Sequence, residues 1–398
     1  MAVGYLLFNE KLEDGLIQGQ VLSLLKKLSQ GQKIFLFVFA PFYSLFGLRQ
    51  KARYEKELGR NVCLVYIPIT IPMRFFIFTG FFTVWAFIYS FILWFHVKKN
   101  KLRVIHARGY FASLVAMFCK RKHTQLKLIF DGRSLFVEEN ISGGKIKNNS
   151  LTHRKWEEYE QLLLDSADKV IAVSLPIKEH YTRKINHEKI EVIPTFVDEN
   201  IVYFDSAARS RLRKNMKIED RTVVVYTGSF YLWNDPALYA AYFREIKNKL
   251  SDAFFLIITR YKTEIEREMK RQGISGESYA VLEVKHNEIK DYLSAGDYGI
   301  FVMNEVNDSA TRLSVKFVEY LAAGLTPIVN KNAGAASQAI LRSKMGHLVE
   351  FTDFKDMARW SCELIVRENV IDYYKKEYSS VASIEKYQIV YDALLRGQ

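Results

Sequence analysis

The sequence has 398 residues, 49% of them hydrophobic, and a formal net charge of +13. This length is too great for one ordinary domain and suits two domains of nearly equal size. The three cysteines, Cys63, Cys119 and Cys362, are far apart in the chain, which excludes a cysteine-pair metal site and fits a reducing compartment. The first ten residues have no basic start and only a short apolar run, so we predict a strand there instead of a signal peptide.

The positive charge is concentrated in the first half of the chain. Residues 1–198 hold 29 basic and 17 acidic side chains, and residues 49–127 alone hold 15 basic and 2 acidic ones. Such a one-sided field predicts an anionic partner, which could be a membrane surface, a nucleic acid or a phosphorylated substrate. Nucleic acid is the least favoured of the three, because the aromatic residues form one apolar run and are not interleaved with basic ones.

Taken in chain order, apolar runs alternate with segments of helical periodicity. Strands are predicted at residues 3–8, 33–40, 61–69, 102–106, 126–130, 169–173, 189–193, 222–226, 253–259, 280–284, 298–302 and 326–329. Helices are predicted at residues 16–28, 110–119, 153–165, 236–249, 263–272, 288–295 and 314–323. This alternation predicts an α/β protein with two doubly wound, Rossmann-like domains facing across a cleft. We place the domains at residues 1–196 and 197–398, the second ending in a helical tail from residue 354 onward.

One segment departs from this alternation. Residues 75–96 carry no formal charge, and 11 of these 22 residues are Phe, Trp or Tyr. As a helix the segment would be about 33 Å long, enough to cross a bilayer. A single crossing would separate strands 61–69 and 102–106, which should pair in one sheet. We therefore predict a helix in the membrane interface, with Arg74, Lys98, Lys99 and Lys101 as headgroup anchors. A helix covered by protein and a true or hairpin span remain alternatives.

Polar side chains follow the predicted strands of the first domain. His106 and Arg108 lie at the end of one strand, and Asp131 and Arg133 follow the next. Open α/β sheets bind their ligands at the carboxyl ends of the strands, so these residues predict a site. Gly15, between the first strand and the first helix, would let backbone approach a ligand. The same loop lacks the glycine triplet of dinucleotide-binding proteins and the Walker pattern.

The second domain has a similar set of strand ends. Gly228 and Ser229 follow its first strand, Arg260 leaves the next, and Lys285 follows a third. Arg260 could meet a phosphate, and the backbone near Lys285 could read a base edge. The sequence has no D-x-D motif and no Cys/His cluster, so we predict no metal site.

The stretch from Ser314 to Val329 is the most informative. It predicts a short helix with Ser314 as N-cap and Gly324 as a left-handed C-terminal residue, followed by a strand. Lys316 and Glu319 are three residues apart and therefore share one helix face. Free N–H groups at a helix start favour anions, and a carboxylate one turn later can accept hydrogen bonds from hydroxyls. A nucleotide presents these groups in the same order, a phosphate followed by a sugar diol, so this helix predicts a nucleotide site.

These residues carry a family resemblance. The pattern Ser314-x-Lys316-Phe317-x-Glu319-Tyr320-Leu321-Ala322-Ala323-Gly324 resembles the donor-site signature of the retaining family 4 glycosyltransferases, which have the GT-B fold. Further segments resemble the family's landmarks in the same order: LRVIHARG at 102–109, FDGRSLFVEE at 130–139, ADKVIAV at 167–173, VIPTFVD at 192–198, VVYTGS at 224–229 and YLSAGDYGIF at 292–301. The resemblance covers nearly the whole chain.

The resemblance implies specific roles for the candidate residues. Glu319 would bind the ribose hydroxyls of a sugar nucleotide, while Lys316 and the amides near Ser314 and Val315 would hold its diphosphate. Gly15 would approach this donor from the opposite domain, His106 would touch the transferred sugar, and Arg108, Asp131 and Arg133 would line the acceptor side. No dedicated nucleophile, metal or tightly bound cofactor is expected.

Two departures from the family pattern affect these expectations. Thr311 stands eight residues before Glu319, where the family usually has an acid that addresses the transferred sugar. The Arg and Lys that commonly follow the glycine at 228 are absent, and the sequence there is Ser229-Phe230-Tyr231-Leu232-Trp233-Asn234. Arg260 or Lys262 could substitute for them.

We therefore predict a retaining glycosyltransferase that moves a sugar, expected to be uridine-linked, to a lipid-linked or polysaccharide acceptor in cell-surface polysaccharide biosynthesis. It would be a peripheral protein at the cytoplasmic face of the cell membrane, held by residues 49–127. The alternatives are a sugar-nucleotide epimerase of the same architecture and a catalytically silent glycan-binding or scaffold subunit.

Overall fold

Two parallel β-sheets with flanking helices make up the chain, one in each of two units. The computed structural model describes residues 2–41, 51–69, 79–230, 234–304, 311–349 and 360–396. The first unit comprises Met1–Pro194 and Ser383–Gln398, and the second comprises Thr195–Ala382. The break after Pro194 is two residues before the predicted domain boundary at residue 196. The predicted second domain includes the whole tail, whereas the structure groups the residues from Ser383 onward with the first unit.

The sheet of the first unit has seven parallel strands in the order β3-β2-β1-β4-β5-β6-β7. The strands are β1 Ala2–Phe8, β2 Lys33–Pro41, β3 Val62–Ile69, β4 Val104–Arg108, β5 Lys127–Gly132, β6 Lys169–Ala172 and β7 Ile190–Val192. They are rich in continuous apolar residues, as a sheet covered on both faces requires. The strand order reverses direction beside β1, and such a switch point is where doubly wound sheets bind ligands.

The helices of the first unit are α1 Gly15–Ile17, α2 Ser23–Leu28, α3 Lys51–Leu58, α4 Thr79–Asn100, α5 Gly109–Lys122, α6 Phe136–Ser142, α7 Leu151–Ser166 and α8 Leu175–Thr182. We predicted one helix over residues 16–28, and the structure interrupts it with a π-helical turn at Gln18–Leu22. Such turns often mark functional positions. This turn carries the buried side chain of Gln20 into the interior.

Helix α4 includes most of the uncharged aromatic segment, of which residues 75–78, with Arg74 before them, lie outside the described residues. One face packs into the core through Trp85, Leu93 and Val97, all nearly inaccessible. The opposite face is apolar but exposed. None of the helices within the described ranges combines the length and apolarity needed to cross a membrane.

The second unit has six parallel strands in the order β10-β9-β8-β11-β12-β13. They are β8 Val223–Thr227, β9 Phe254–Ile258, β10 Tyr279–Leu282, β11 Tyr298–Phe301, β12 Thr326–Val329 and β13 His347–Leu348. The helices are α9 Ser206–Met216, α10 Pro236–Lys249, α11 Lys262–Arg271, α12 Ile289–Ala295, α13 Val315–Ala322, α14 Ala335–Ser343 and α15 Arg367–Glu377. The last helix, α16 Ser380–Arg396, begins here and continues into the first unit.

The predicted fold class, two doubly wound Rossmann-like domains, is confirmed by these two sheets. The helical tail is confirmed from residue 367, while residues 354–359 lie outside the described residues. Helices α3, α6, α8, α9 and α14 and the two-residue strand β13 were not predicted.

Candidate functional site

Helix α13 has the boundaries that its sequence predicts. Ser314 occupies the N-cap with extended backbone, although its side chain makes no capping hydrogen bond. Gly324 follows the helix with a φ of +66°, the left-handed conformation that glycine adopts most readily. A Cβ at Gly324 would lie 2.4 Å from Cγ of Arg367, so the position is closed to larger residues by packing as well.

Tyr320 fastens this helix to the ends of two strands. Its hydroxyl accepts a hydrogen bond from the Thr227 amide at 3.0 Å and lies 3.3 Å from the Ile300 carbonyl, to which it donates. The Tyr320 ring rests on Gly299, where a Cβ would be 2.4 Å from its Cγ. The carboxyl-terminal half of α13 is therefore held against the carboxyl ends of β8 and β11. The motif contained Tyr320, but only the structure assigns it this function.

Lys316 lies directly over Gly228. A Cβ at Gly228 would be 2.6 Å from Cε of Lys316, and Gly228 has a φ of +122°. The ammonium is 3.4 Å from the Tyr226 hydroxyl and 4.8 Å from the centre of the Tyr226 ring. The structure thus brings together two predicted donor-site residues that are 88 positions apart, and it adds Tyr226, which we had not singled out.

Lys316 and Glu319 form a mutually dependent pair of ionisable groups. Burial lowers the pKa of Lys316 to about 7, against the opposing effect of Glu319. Burial likewise raises the pKa of Glu319 to about 7, against the opposing effect of Lys316. Near neutral pH the pair can therefore exist in charged and uncharged forms. A diphosphate beside Lys316 would favour its ammonium form, so this site is suited to an anionic ligand.

The other donor-site candidates of the second unit are more exposed. Ser229 follows β8, Arg260 follows β9 and Lys285 follows β10, all with exposed side chains. Lys262 begins α11 and lies 3.8 Å from Glu266 in an i,i+4 ion pair. Thr311, at the position of the expected acid, is partly buried. Residues 231–233, part of the departure from the family pattern, lie outside the described residues.

A buried polar cluster occupies the strand ends of the first unit. His106 on β4 has no solvent exposure, and its Nε2 lies 3.3 Å from Oδ2 of Asp131 on β5. Its Nδ1 lies 2.7 Å from the hydroxyl of Tyr391 on α16. The rings of Tyr5 and Tyr387 pack on the imidazole, with centroids 4.4 Å and 5.6 Å away. Both nitrogens of His106 therefore have protein partners, and its contact with a sugar stays a prediction.

Two arginines complete this cluster. The Arg133 guanidinium is 3.6 Å from Oδ1 of Asp131, and that of Arg108 is 4.0 Å from Oδ2. Both donate to Oε1 of Gln20, at 2.9 Å from Arg133 and 3.4 Å from Arg108. Arg108 also pairs with Glu10 at 3.3 Å. The three predicted acceptor-side residues are therefore together, and the π-helical turn adds Gln20 to them.

The cluster has a defined protonation pattern. Burial lowers the pKa of His106, and although Asp131 acts in the opposite direction, the net shift favours neutral imidazole. Burial alone would raise the pKa of Asp131, but Arg133, the His106 hydrogen bond and Arg108 hold it below its usual value. An ionised Asp131 can only accept, so Nε2 of His106 donates to it. Nδ1 is then the acceptor for the Tyr391 hydroxyl.

Gly15 begins α1 in the loop after β1 and is partly exposed. Within the described ranges, no group of three His, Cys, Asp or Glu side chains is placed to hold a metal ion.

Comparison with known sequences identifies a family for the first part of the chain. Residues 20–201 match the family described as Glycosyltransferase Family 4. This match covers the strand ends that carry His106, Arg108, Asp131 and Arg133. A comparison with curated proteins finds no match.

Solved structures resemble the chain over its whole length. A glycosyltransferase from Rickettsia africae is 14% identical with a TM-score of 0.73, covering 100% of this chain and 99% of the other. HepE of Anabaena in complex with UDP is 12% identical with a TM-score of 0.69, covering 99% and 100%. Other structures of HepE contain UDP with glucose, or UDP-glucose.

The lipopolysaccharide outer core galactosyltransferase WaaB, in its apo form, is 10% identical with a TM-score of 0.68, covering 100% of both chains. At such low identities these likenesses establish the fold alone. Together with the family match, they confirm the resemblance expected from the donor-site motif. Residues 20–201 thus match the family 4 glycosyltransferases in sequence, and the whole chain has the GT-B fold of these neighbours.

Proposed function

We propose that the chain transfers a sugar, with retention of anomeric configuration, from a uridine-linked nucleotide donor to a lipid-linked or polysaccharide acceptor. The observation that carries this proposal is the position of Lys316 over Gly228, with Glu319 buried one turn later on the same helix. In that arrangement Lys316 supplies a cation for the diphosphate of a nucleotide, and Glu319 supplies a hydrogen-bond acceptor for its ribose. HepE, which has a similar fold, is known in complex with UDP and UDP-glucose.

At the donor, Lys316 and the amides of Ser314 and Val315 hold the diphosphate and stabilise it as the leaving group. Glu319 in its ionised form accepts hydrogen bonds from the ribose hydroxyls, and such charge-assisted bonds are worth about 1.5–3 kcal/mol each. The open backbone at Gly228 and Ser229 lets the donor approach. Arg260, Lys285 and Gly15 are the remaining donor contacts in this proposal.

On the acceptor side, the proposal uses the cluster of the first unit. Arg108 and Arg133 supply positive charge beside the strand ends, and Asp131 orients both of them through its two oxygens. His106, held by Asp131 and Tyr391, faces the transferred sugar in this scheme. The departing phosphate helps to accept the acceptor's proton, so the scheme requires no dedicated nucleophile.

The proposal also places the chain at the cytoplasmic face of the cell membrane, in cell-surface polysaccharide synthesis. Helix α4 supports this placement because it exposes large apolar side chains, among them Val84 (63% exposed) and Phe95 (57% exposed). An exposed apolar helix face next to basic residues is suited to contact with a membrane surface. WaaB, with a similar fold, is described as acting on a lipopolysaccharide outer core.

The test is a transfer assay with a panel of uridine-linked sugars and lipid-linked acceptors. Glu319→Gln should lose most of the transfer activity and of the donor affinity, whereas Glu368→Gln, at an exposed position of the same unit, should retain both. The anomeric configuration of the product, read by NMR, checks retention. An isomerised sugar nucleotide without transfer would support the epimerase instead, and absence of any nucleotide binding would support the silent scaffold.

A further inference from the structure

A basic cavity lies at the carboxyl end of α4 and includes Lys98 and Lys101, two of the predicted headgroup anchors. It has a volume of about 380 Å³, and its polar lining is Lys98, Lys101, Arg103, His123 and Gln125. Among the described residues that line it there is no Asp or Glu. This volume is within the range of small-molecule sites, so the cavity can accommodate a compact polar group.

The charge balance of the cavity favours an anion. Helices α4 and α5 both end beside it, and each helix end contributes about half a negative charge. Lys98, Lys101 and Arg103 together supply three positive charges, whereas the two helix ends together supply about one negative charge. The positive charge of the side chains therefore exceeds the negative charge of the helix ends, and the cavity has a net positive charge.

Lys101 has a left-handed backbone conformation at the end of α4. Its φ is +51°, and its N–H donates to Lys98 O at 3.3 Å while Leu102 N–H donates to Val97 O at 3.0 Å. This is the hydrogen-bond pattern of a helix end at which glycine is the preferred residue. Lys217 and Lys344 adopt the same left-handed conformation after α9 and α14, so the conformation marks a helix end. The side chain of Lys101 lines the cavity.

The cavity continues the exposed face of α4. Six apolar residues of that face are between 40% and 63% exposed: Val84, Phe87, Ile88, Phe91, Ile92 and Phe95. Each of them lies three or four positions from another, so they share one side of the helix. Lys98 follows Phe95 by three residues and therefore extends the same face. Beside it, Lys122 lies 4.3 Å and 4.0 Å from the rings of Phe87 and Phe91. Apolar side chains edged by cations are complementary to an anionic lipid surface.

We propose that this cavity binds the phosphate headgroup of an anionic phospholipid while the exposed face of α4 lies in the same interface. The proposal rests on the membrane contact proposed above and adds a defined headgroup site to it. Arg103 immediately precedes β4, and Arg108 ends that strand. The cavity is therefore at the opposite edge of the sheet from the acceptor-side cluster, roughly 16 Å along the strand. A headgroup here orients the first unit without occupying the acceptor position.

The test measures partitioning of the full-length protein onto vesicles of phosphatidylcholine, with and without phosphatidylglycerol. Lys101→Gly removes the ammonium and gives the backbone the residue it prefers, so its folding is preserved. Arg103→Gln removes a second cation. Each should weaken binding to the anionic vesicles about fivefold, the usual effect of one basic residue at such a surface, and leave binding to neutral vesicles unchanged. Controls are Lys178→Gln on α8 and Arg183→Gln just after it, which remove equal charge beside β6 and β7.

Equal losses in the cavity variants and the controls would overturn the headgroup site, since diffuse charge would then explain the binding. Equal binding of the unaltered protein to both vesicle types would overturn it too, while leaving the membrane contact of α4 in place. Glycerol 3-phosphate, added as a soluble ligand, tests whether the cavity binds a free phosphate compound instead of a lipid headgroup. If it raises the melting temperature in a Lys101-dependent manner but the vesicles show no such dependence, the lipid assignment is wrong. Stabilisation by nucleotide sugar reports separately on the transfer function.

Discussion

Nδ1 of His106 lies 2.7 Å from the hydroxyl of Tyr391, although 285 positions separate the two residues. Asp131 takes the other imidazole nitrogen, so the ring is held from both sides. Because ionised Asp131 fixes the proton on Nε2, the Tyr391 hydroxyl must be the donor to Nδ1. The buried histidine on β4 thus donates from Nε2 to Asp131 and accepts at Nδ1 from a tyrosine on the last helix.

Tyr391→Phe should destabilise the protein by about 1–3 kcal/mol, because it leaves Nδ1 of His106 buried without a donor. Chemical unfolding followed by circular dichroism measures this loss. Tyr387→Phe is the matched control, since Tyr387 contacts the same imidazole through its ring. An equal and small effect of both substitutions would show that the Tyr391 hydroxyl does not hold the imidazole.

Gly228→Ala should reduce donor affinity at least tenfold. The added Cβ would approach Cε of Lys316 to 2.6 Å, and the φ of +122° is unfavourable for alanine, so Lys316 must move. Titration calorimetry with UDP measures the change. Gly276→Ala in the same unit is the control, because no atom lies within 4 Å of its added Cβ. Unchanged UDP binding by Gly228→Ala would show that Lys316 does not contact the donor.

Glu319→Gln should change the pH dependence of stability. The folded protein holds a proton on Glu319 up to about pH 7, whereas the unfolded chain releases it near pH 4.5. Raising the pH through this interval therefore destabilises the unaltered protein relative to the variant. The melting temperature of the variant minus that of the unaltered protein should rise between about pH 4.5 and 7, then level off.

The same variant should gain little stability from added UDP, because the ribose hydroxyls lose their carboxylate acceptor. Thermal denaturation with and without UDP at pH 7.5 provides the comparison, with Glu368→Gln as control. A variant that is stabilised by UDP as strongly as the unaltered protein would contradict the role of Glu319 at the ribose.

Phe91→Glu and Phe95→Glu should each abolish or strongly reduce flotation with vesicles. Both side chains are about half exposed, so a charge there leaves the core intact while opposing entry into an apolar interface. Leu151→Glu, at an exposed position of the same unit, serves as the control. Unaltered flotation of both variants would exclude α4 as the membrane contact. A dimer that both variants dissociate would show instead that a second copy covers this face.

Much of this fold could be predicted from patterns that act over short distances. Continuous apolar runs identify β1 and β2 because each lies in a sheet buried on both faces. The position of Gly324 after α13 follows from a local backbone requirement, and it was predicted correctly. The pairing of Lys316 with Glu319 follows from helical spacing.

The remaining features depend on contacts that no local pattern contains. Tyr391 meets His106 only because the last helix joins the first unit. Gln20 reaches Arg108 and Arg133 because one extra residue in a π-helical turn directs it inward. On α4, Leu93 is buried and Phe91 exposed, yet both are apolar, so composition alone could not separate the packed face from the exposed one.

The position of α16 has a consequence for synthesis of the chain on the ribosome. The first unit needs Tyr391 and its neighbours to satisfy His106, yet the whole of residues 195–382 must be made before them. Domains generally fold in order as they emerge, amino-terminal first. Here the earlier unit stays incomplete until the later one has been translated, so a chain stalled in its last segment leaves the acceptor-side cluster unfinished.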